Sequence, residues 1–147
     1  RIALLEGLAD GTIDAICSDH QPHETDAKLA PFQQTEPGIA GLETLLPLTM
    51  RLVEDGTLSE LDALNKITFQ PARIIGSEAG RITPNAQADL VLFDPDALWT
   101  FTLETMRSQG KNSPFENWAF QGSVSHTFLA GQPVYSATGT TASVNPI

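Results

Sequence analysis

The chain has 147 residues, of which 41% are hydrophobic, so its length and composition are those of a globular domain with a real core. Its 18 acidic residues outnumber the 8 basic ones and give a formal net charge of -10. This balance argues against nucleic acid and against membrane as partners, because nucleic acids and anionic membranes are bound through clusters of Lys and Arg. The apolar runs are also much shorter than the roughly 20 residues that span a bilayer.

The cysteine content favours a reducing compartment. Cys17 is the single cysteine, so no disulfide framework can form within the chain, and we expect a cytoplasmic protein. Because Cys17 ends an apolar run, we expect it to be a core residue. The chain opens with Arg1 rather than Met, which predicts a cut end or a partial sequence.

Three types of segment open the chain. Apolar residues spaced about one helical turn apart predict a helix over residues 1–10. The nearly continuous apolar run at residues 13–17 is typical of a strand buried on both faces, as in a parallel sheet. Residues 24–38 form a polar loop, and a connection of that length in a compact domain is usually functional or mobile.

Residues 42–76 have the pattern of three helices. An apolar stripe at helical spacing predicts the first, although Pro47 within it requires a kink or a later start. Ser59 is the predicted N-cap of the second helix. Pro71 and Gly76 are predicted to open and close the third.

The remaining residues predict strands. Residues 90–93 form a short apolar strand, and residues 127–129 and 133–135 flank a short turn that contains glycine, which predicts a hairpin. The last residues are rich in Ser, Thr and Gly and predict a disordered tail over residues 137–147.

Titratable side chains crowd together directly after the predicted strand at residues 13–17. Asp19, His20 and His23 lie within five positions, and in parallel α/β folds the carboxyl ends of strands are where active sites are built. Asp19 has the chemistry of an oxygen ligand for a metal and of a proton carrier, and His23 that of a ligand, a base or an anion-binding donor. The spacing alone is equally compatible with an Asp that caps a turn and a solvated His.

The order of these motifs resembles the bacterial dihydroorotase family of the amidohydrolase superfamily. In that family the last barrel strand ends in Asp-His-Ala-Pro-His, which is similar to residues 19–23, and the loop after it closes with Gly-Ile-x-Gly-x-Glu, which is similar to residues 38–43. The resemblance extends over about residues 1–136 and includes the segments Thr68–Ala72, Gly80–Asp94 and Lys111–Phe115.

The resemblance implies an α/β fold class. We expect the C-terminal part of a (β/α)8 amidohydrolase barrel, namely its last strand and helices, plus part of a small composite β-sandwich domain. The implied boundaries are residues 1–76 for the barrel portion, 77–136 for the sandwich portion and 137–147 for the disordered tail.

The resemblance also implies an activity, the reversible zinc-dependent hydrolysis of the cyclic amide of dihydroorotate to N-carbamoyl-L-aspartate in pyrimidine biosynthesis. Asp19 matches the aspartate that contacts the metal and carries a proton, so it is both the catalytic and the metal residue. His23, Pro37 and Gly38 match substrate-binding positions, and His23 favours dihydroorotase over hydantoinase-like relatives whose substrates lack the free carboxylate. Zinc is the implied cofactor of the complete protein. The family's other metal ligands lie upstream of the segment matched here, so we expect the chain alone to be inactive.

Two departures from the family pattern leave a second hypothesis open. Gln21 replaces a small Ala, and Pro37 replaces an aromatic residue and removes a backbone N–H donor. A pocket without activity tolerates such changes. The alternative function is therefore a non-catalytic, dihydroorotase-like structural subunit that partners aspartate transcarbamoylase, and the question of whether the protein is an enzyme stays open at this point.

Overall fold

The computed structural model describes residues 1–137, in which helices come first and a sheet follows. The α-helices of this part are α1 (Ile2–Ala9), α2 (Leu45–Glu54), α3 (Glu60–Ile67) and α4 (Phe69–Ile74), with short 3-10 turns at Thr25–Lys28 and Phe32–Gln34. The strands are β1 (Leu90–Thr100), β2 (Ala119–Leu129) and β3 (Gln132–Ser136), which pair antiparallel in the order β1-β2-β3.

The helix signals in the sequence correspond to physical features of the helices. Ser59 caps α3, since its hydroxyl oxygen accepts the backbone N–H of Asp62 at 3.1 Å. Pro47 is the third residue of α2, within the first turn, where backbone N–H groups have no partner inside the helix. The helix therefore starts late enough to accommodate the proline. Helix α4 begins at Phe69, two residues earlier than Pro71 predicted.

The strand predicted at residues 13–17 is not formed within residues 1–137. They run beside α3 instead: the Ile16 N–H donates to the carbonyl of Lys66 at 2.9 Å, and the Lys66 ammonium donates to the carbonyl of Ile13 at 2.6 Å. A strand of a parallel sheet needs neighbouring strands, and residues 1–137 provide only one isolated parallel bridge nearby, between His20 and Ile39. Cys17 is exposed in this part of the chain, so its predicted place in the core is wrong there.

The main apolar cluster joins the sheet to the loop before α2. It contains the buried residues Ala40, Phe101, Met106 and Phe120. Helix α2 packs on β2, and the Arg51 guanidinium lies 5.0 Å above the Trp118 ring. Ala40 and Phe101 lie on opposite sides of the boundary expected between residues 76 and 77 and belong to one cluster. The boundary itself stays a prediction.

The predicted hairpin is formed by β2 and β3, with Ala130 and Gly131 as its turn. Within residues 1–137 the strands form a single sheet, so the facing sheet of the expected sandwich is not among them. Ala137 donates its N–H to the carbonyl of Ser125 at 2.9 Å, and the rest of the predicted tail, residues 138–147, lies outside the described residues.

Several helices expose large apolar side chains. Ile2 and Leu4 on α1 are 73% and 62% exposed, Leu61 on α3 is 70% exposed, and Ile74 at the end of α4 is 59% exposed. An amphipathic helix normally buries such residues against another element, so these helices lack apolar cover within the described part of the chain. No helix in residues 1–137 is both long and apolar enough to cross a membrane.

Candidate functional site

Asp19 has an unusual backbone and an unengaged side chain. Its φ is 42°, in the left-handed region that Asp tolerates better than most residues. The side chain is exposed, and no group in residues 1–137 donates a hydrogen bond to its carboxylate. Residues held in such conformations cluster at functional sites, and this carboxylate is available to a ligand or a substrate.

The His20 side chain joins the segment after Asp19 to Gly41 and Leu42, near the end of the Gly-Ile-x-Gly-x-Glu pattern. Its Nδ1 accepts the backbone N–H of Gly41 at 3.2 Å and that of Leu42 at 3.1 Å. Nδ1 is therefore the acceptor for two neighbouring backbone N–H groups. His20 therefore has a structural role, since it holds the backbone at Gly41 and Leu42.

Gln21 and Gly38 pack directly against each other. The Gln21 N–H donates to the carbonyl of Ile39 at 2.8 Å, which brings the two segments side by side. Gly38 has a φ of 83°, and a Cβ at this position would lie 2.5 Å from the Gln21 Cβ. Glycine is thus required here both by backbone conformation and by space. The Gln21 side chain, which departs from the family pattern, covers Gly38.

His23 is half-buried and is held through its backbone. Its N–H donates to Oδ1 of Asn112 at 2.7 Å, and its carbonyl accepts the N–H of Lys111 at 3.1 Å. Gly110 allows this approach, because a Cβ there would lie 2.6 Å from the His23 nitrogen. Among the described residues no group hydrogen-bonds to the His23 imidazole, so the ring is available for binding.

Asn112 is the residue of this site that sequence reasoning missed. It is 8% exposed, and its Nδ2 donates to the carbonyls of Gln21 at 3.0 Å and Gly38 at 3.5 Å. Its own carbonyl accepts the N–H of Ala40 at 3.3 Å. The segment Lys111–Phe115 is similar to the family, but its side chains gave no indication of contact with residues 21–40.

The structure brings some predicted site residues together and leaves others apart. His23 and Gly38 share Asn112 as a hydrogen-bond partner. Asp19 and Pro37 are exposed, and no hydrogen bond within residues 1–137 joins either to His23 or Gly38. An open cleft of about 160 Å³ lies beside Ser18, but none of these four residues lines it. Their functional roles stay predictions.

A zinc ion needs more ligands than this part of the chain supplies. The Asp19 carboxylate fits one position in a zinc shell, as an exposed oxygen donor without a competing hydrogen bond. No three His, Cys, Asp or Glu side chains of residues 1–137 lie close enough to hold a metal ion. A catalytic zinc site takes at least three protein ligands, so Asp19 could contribute to such a site but not form it.

Comparisons with known proteins agree with the motifs. A family model described as the amidohydrolase family matches residues 1–134. The dihydroorotase-like protein of Pseudomonas aeruginosa is 47% identical over 131 residues, which are 89% of this chain and 31% of that protein. The dihydroorotase of Geobacter metallireducens is 43% identical over 133 residues, which are 90% of this chain and 31% of that protein.

A solved structure confirms the fold class. The L-hydantoinase (dihydropyrimidinase) from Arthrobacter aurescens matches 92% of this chain with a TM-score of 0.84 and 30% identity, and the match covers 31% of that structure. The chain thus spans about a third of the length of the relatives that it matches. The predicted resemblance to dihydroorotases is confirmed by these relatives, and the chain belongs to the amidohydrolase family.

Proposed function

We propose that this chain supplies the C-terminal part of a dihydroorotase-like enzyme that reversibly hydrolyses the cyclic amide of dihydroorotate to N-carbamoyl-L-aspartate, as a step of pyrimidine biosynthesis in the cytoplasm. The observation that supports this most is the arrangement around residues 19–23. The Asp19 carboxylate has no hydrogen-bond donor among the described residues, and four positions later the His23 imidazole is free while its backbone is fixed.

Asp19 would act as a metal ligand and as the proton carrier. A bound zinc ion would lower the pKa of a water molecule toward about 7 and polarise the amide carbonyl of the substrate. The Asp19 carboxylate is exposed, so it can take the proton from the attacking water and return it to the ring nitrogen that leaves. The reverse reaction needs the same carboxylate to carry the proton in the opposite direction.

His23, Pro37 and Gly38 would bind the substrate. The free imidazole of His23 can donate to the carboxylate that dihydroorotate carries outside the reacting amide. Gly38 lies beside His23 through their common contact with Asn112, and its backbone N–H is unbonded within the described residues. Pro37 has no N–H, so it can offer the substrate only its carbonyl and its ring.

A second candidate function is a non-catalytic subunit that partners aspartate transcarbamoylase. Two observations favour it. The Gln21 side chain covers Gly38, where a small residue would leave the substrate more room. The relative from Pseudomonas aeruginosa named dihydroorotase-like protein is 47% identical to this chain, compared with 43% for the dihydroorotase of Geobacter metallireducens.

One experiment separates the two candidates. The full-length protein is purified without an affinity tag, its zinc content is measured by mass spectrometry, and its hydrolysis of dihydroorotate is followed by the loss of ultraviolet absorbance. We expect at least about one zinc per chain together with turnover. Protein without zinc and without turnover that co-purifies with aspartate transcarbamoylase would overturn the enzyme proposal and support the subunit.

A further inference from the structure

The Asn112 side chain contacts the candidate site at three points. Its Oδ1 accepts the N–H of His23 at 2.7 Å, and its Nδ2 donates to the carbonyls of Gln21 at 3.0 Å and Gly38 at 3.5 Å. We propose that Asn112 is a positioning residue that fixes His23 relative to Gly38 and thereby sets the affinity for the carboxylate of the substrate. This inference rests on the proposed function, because that function gives His23 and Gly38 their roles in substrate binding.

The chemistry of the amide suits this position. The site presents one backbone N–H and two backbone carbonyls, and a primary amide is the side chain that accepts at one end and donates twice at the other. Asn112 is 8% exposed, so water cannot replace these bonds easily. An aspartate of the same shape would still accept from His23 but would place a negatively charged oxygen against the carbonyls of Gln21 and Gly38.

The backbone around Asn112 reinforces the arrangement. The N–H of Lys111 donates to the His23 carbonyl at 3.1 Å, and the N–H of Ala40 donates to the Asn112 carbonyl at 3.3 Å. Gly110 lies so close to Pro22 and His23 that a side chain could not be accommodated. Residues 110–112 thus lie between the two substrate-binding segments and bond to both of them.

The segment that carries Asn112 is itself held in place. The carboxylate of Glu43 accepts the backbone N–H groups of Arg107 at 3.0 Å and Ser108 at 2.9 Å. The Lys111 ammonium donates to the carbonyl of Met106 at 2.6 Å, which closes the turn before Asn112. These contacts fix residues 106–111, and they thereby fix the position of Asn112 relative to His23.

The consequence concerns substrate affinity more than the chemical step. The His23 imidazole can bind a substrate carboxylate well only when Gly38 and His23 keep their spacing, so a displacement of either weakens substrate binding. Asp19 shares no hydrogen bond with Asn112 among residues 1–137. Loss of the Asn112 amide should therefore raise KM and leave kcat nearly unchanged.

The test uses the full-length protein with Asn112→Asp and Asn112→Ala. The matched control is Asn65→Asp. Asn65 is half-buried, and its side chain forms no hydrogen bond within residues 1–137. We expect KM for dihydroorotate to rise about tenfold or more in both Asn112 variants, with kcat within about threefold of the wild type. Asn65→Asp should retain the wild-type KM.

A second variant separates positioning from a general loss of stability. In a His23→Ala background the imidazole contact to the carboxylate is already lost, so Asn112→Asp should raise KM by a smaller factor than in the wild type. A purely structural defect would instead act equally in both backgrounds. Equal KM increases in the two backgrounds, or an unchanged KM in the Asn112 variants, would overturn the proposal.

A third measurement does not depend on turnover. Trypsin can cleave after Lys28, in the loop whose end is fixed at Gly38, and faster cleavage in Asn112→Ala than in the wild type or Asn65→Asp is expected. If the wild-type protein neither binds nor hydrolyses dihydroorotate, the proposed function fails while this cleavage rate still decides whether Asn112 fixes the loop. Equal cleavage rates in all variants would overturn the positioning role.

Discussion

The carboxylate of Glu43 accepts the backbone N–H of Arg107 with both of its oxygens, each 3.0 Å from the nitrogen. The two residues are 64 positions apart, so this contact joins the start of α2 to the segment that leads to Asn112. The final Glu of the Gly-Ile-x-Gly-x-Glu pattern therefore has a structural role here, as an acceptor for backbone groups.

We predict that Glu43→Ala destabilises the full-length protein by roughly 1–3 kcal/mol, because it leaves the N–H groups of Arg107 and Ser108 without their acceptor. Glu43→Gln keeps one acceptor oxygen and should cost less. Urea unfolding measures both, with Glu54→Ala as the control, since Glu54 on α2 is exposed and its side chain forms no hydrogen bond in residues 1–137. Equal stability of Glu43→Ala and Glu54→Ala would contradict the role.

Asp19→Asn should abolish turnover without unfolding the full-length protein. Asparagine has the same shape and also tolerates the left-handed conformation that Asp19 adopts, so the melting temperature should stay near that of the wild type. It cannot carry a proton, so kcat should fall by about 100-fold to 10,000-fold. The measurements are thermal unfolding and dihydroorotate hydrolysis. Full turnover in Asp19→Asn would remove the proton-carrying assignment.

The contact of His20 with the N-terminal side of α2 predicts a graded effect on stability. His20→Ala leaves the N–H groups of Gly41 and Leu42 without an acceptor and should cost roughly 1–3 kcal/mol. In His20→Asn the side-chain oxygen can take the place of Nδ1, so this variant should lose less. Chemical unfolding of the two variants provides the comparison, and if Asn is as harmful as Ala, the imidazole contributes through packing instead.

Asp89 gives the hairpin an acid-dependent contact. Its carboxylate accepts the N–H of Ala130 at 2.7 Å and the Gln87 amide at 2.9 Å, and these bonds, that of Ala130 first, hold the pKa of Asp89 below its ordinary value. The stabilisation from the charged form is therefore present above about pH 4 and is lost as the pH falls through the lower folded pKa.

The amide resonance of Ala130 in protein labelled with nitrogen-15 alanine reports this contact. Between about pH 6 and pH 2 it should shift with a midpoint below the ordinary pKa of an aspartate, near 4. Asp89→Asn should remove the transition, because asparagine does not titrate. A midpoint at or above 4 in the wild type would show that the bond does not favour the charged form.

Local signals predicted the helices and the hairpin well, because their determinants are close in sequence. Ser59 caps α3 three residues away, and the Ala130-Gly131 turn joins adjacent strands. The structure of the apolar run at residues 13–17 could not be predicted from residues close to it in sequence. Whether such a run pairs as a strand depends on neighbouring strands, which periodicity within the run does not reveal.

The sequence indicates the candidate site only as far as the chemistry of that site is local. Asp19 and His23 stand out as titratable residues after an apolar run, but Asn112, which holds His23, does not. Asn112 contacts His23 across 89 positions, and an asparagine before Ser-Pro has no feature that distinguishes it from a turn residue. A hydrogen bond between a side chain and a backbone group far away in the sequence leaves no recognisable pattern in a single sequence.

The long separation between His23 and Asn112 also constrains how the protein is made. During synthesis at about 5–20 residues per second, the loop around residues 24–38 leaves the ribosome several seconds before its buried amide partner exists. Until then the His23 N–H lacks the acceptor that it has in the folded protein. Nascent chains that stall before position 112 should therefore lack the contact that joins His23 to Asn112.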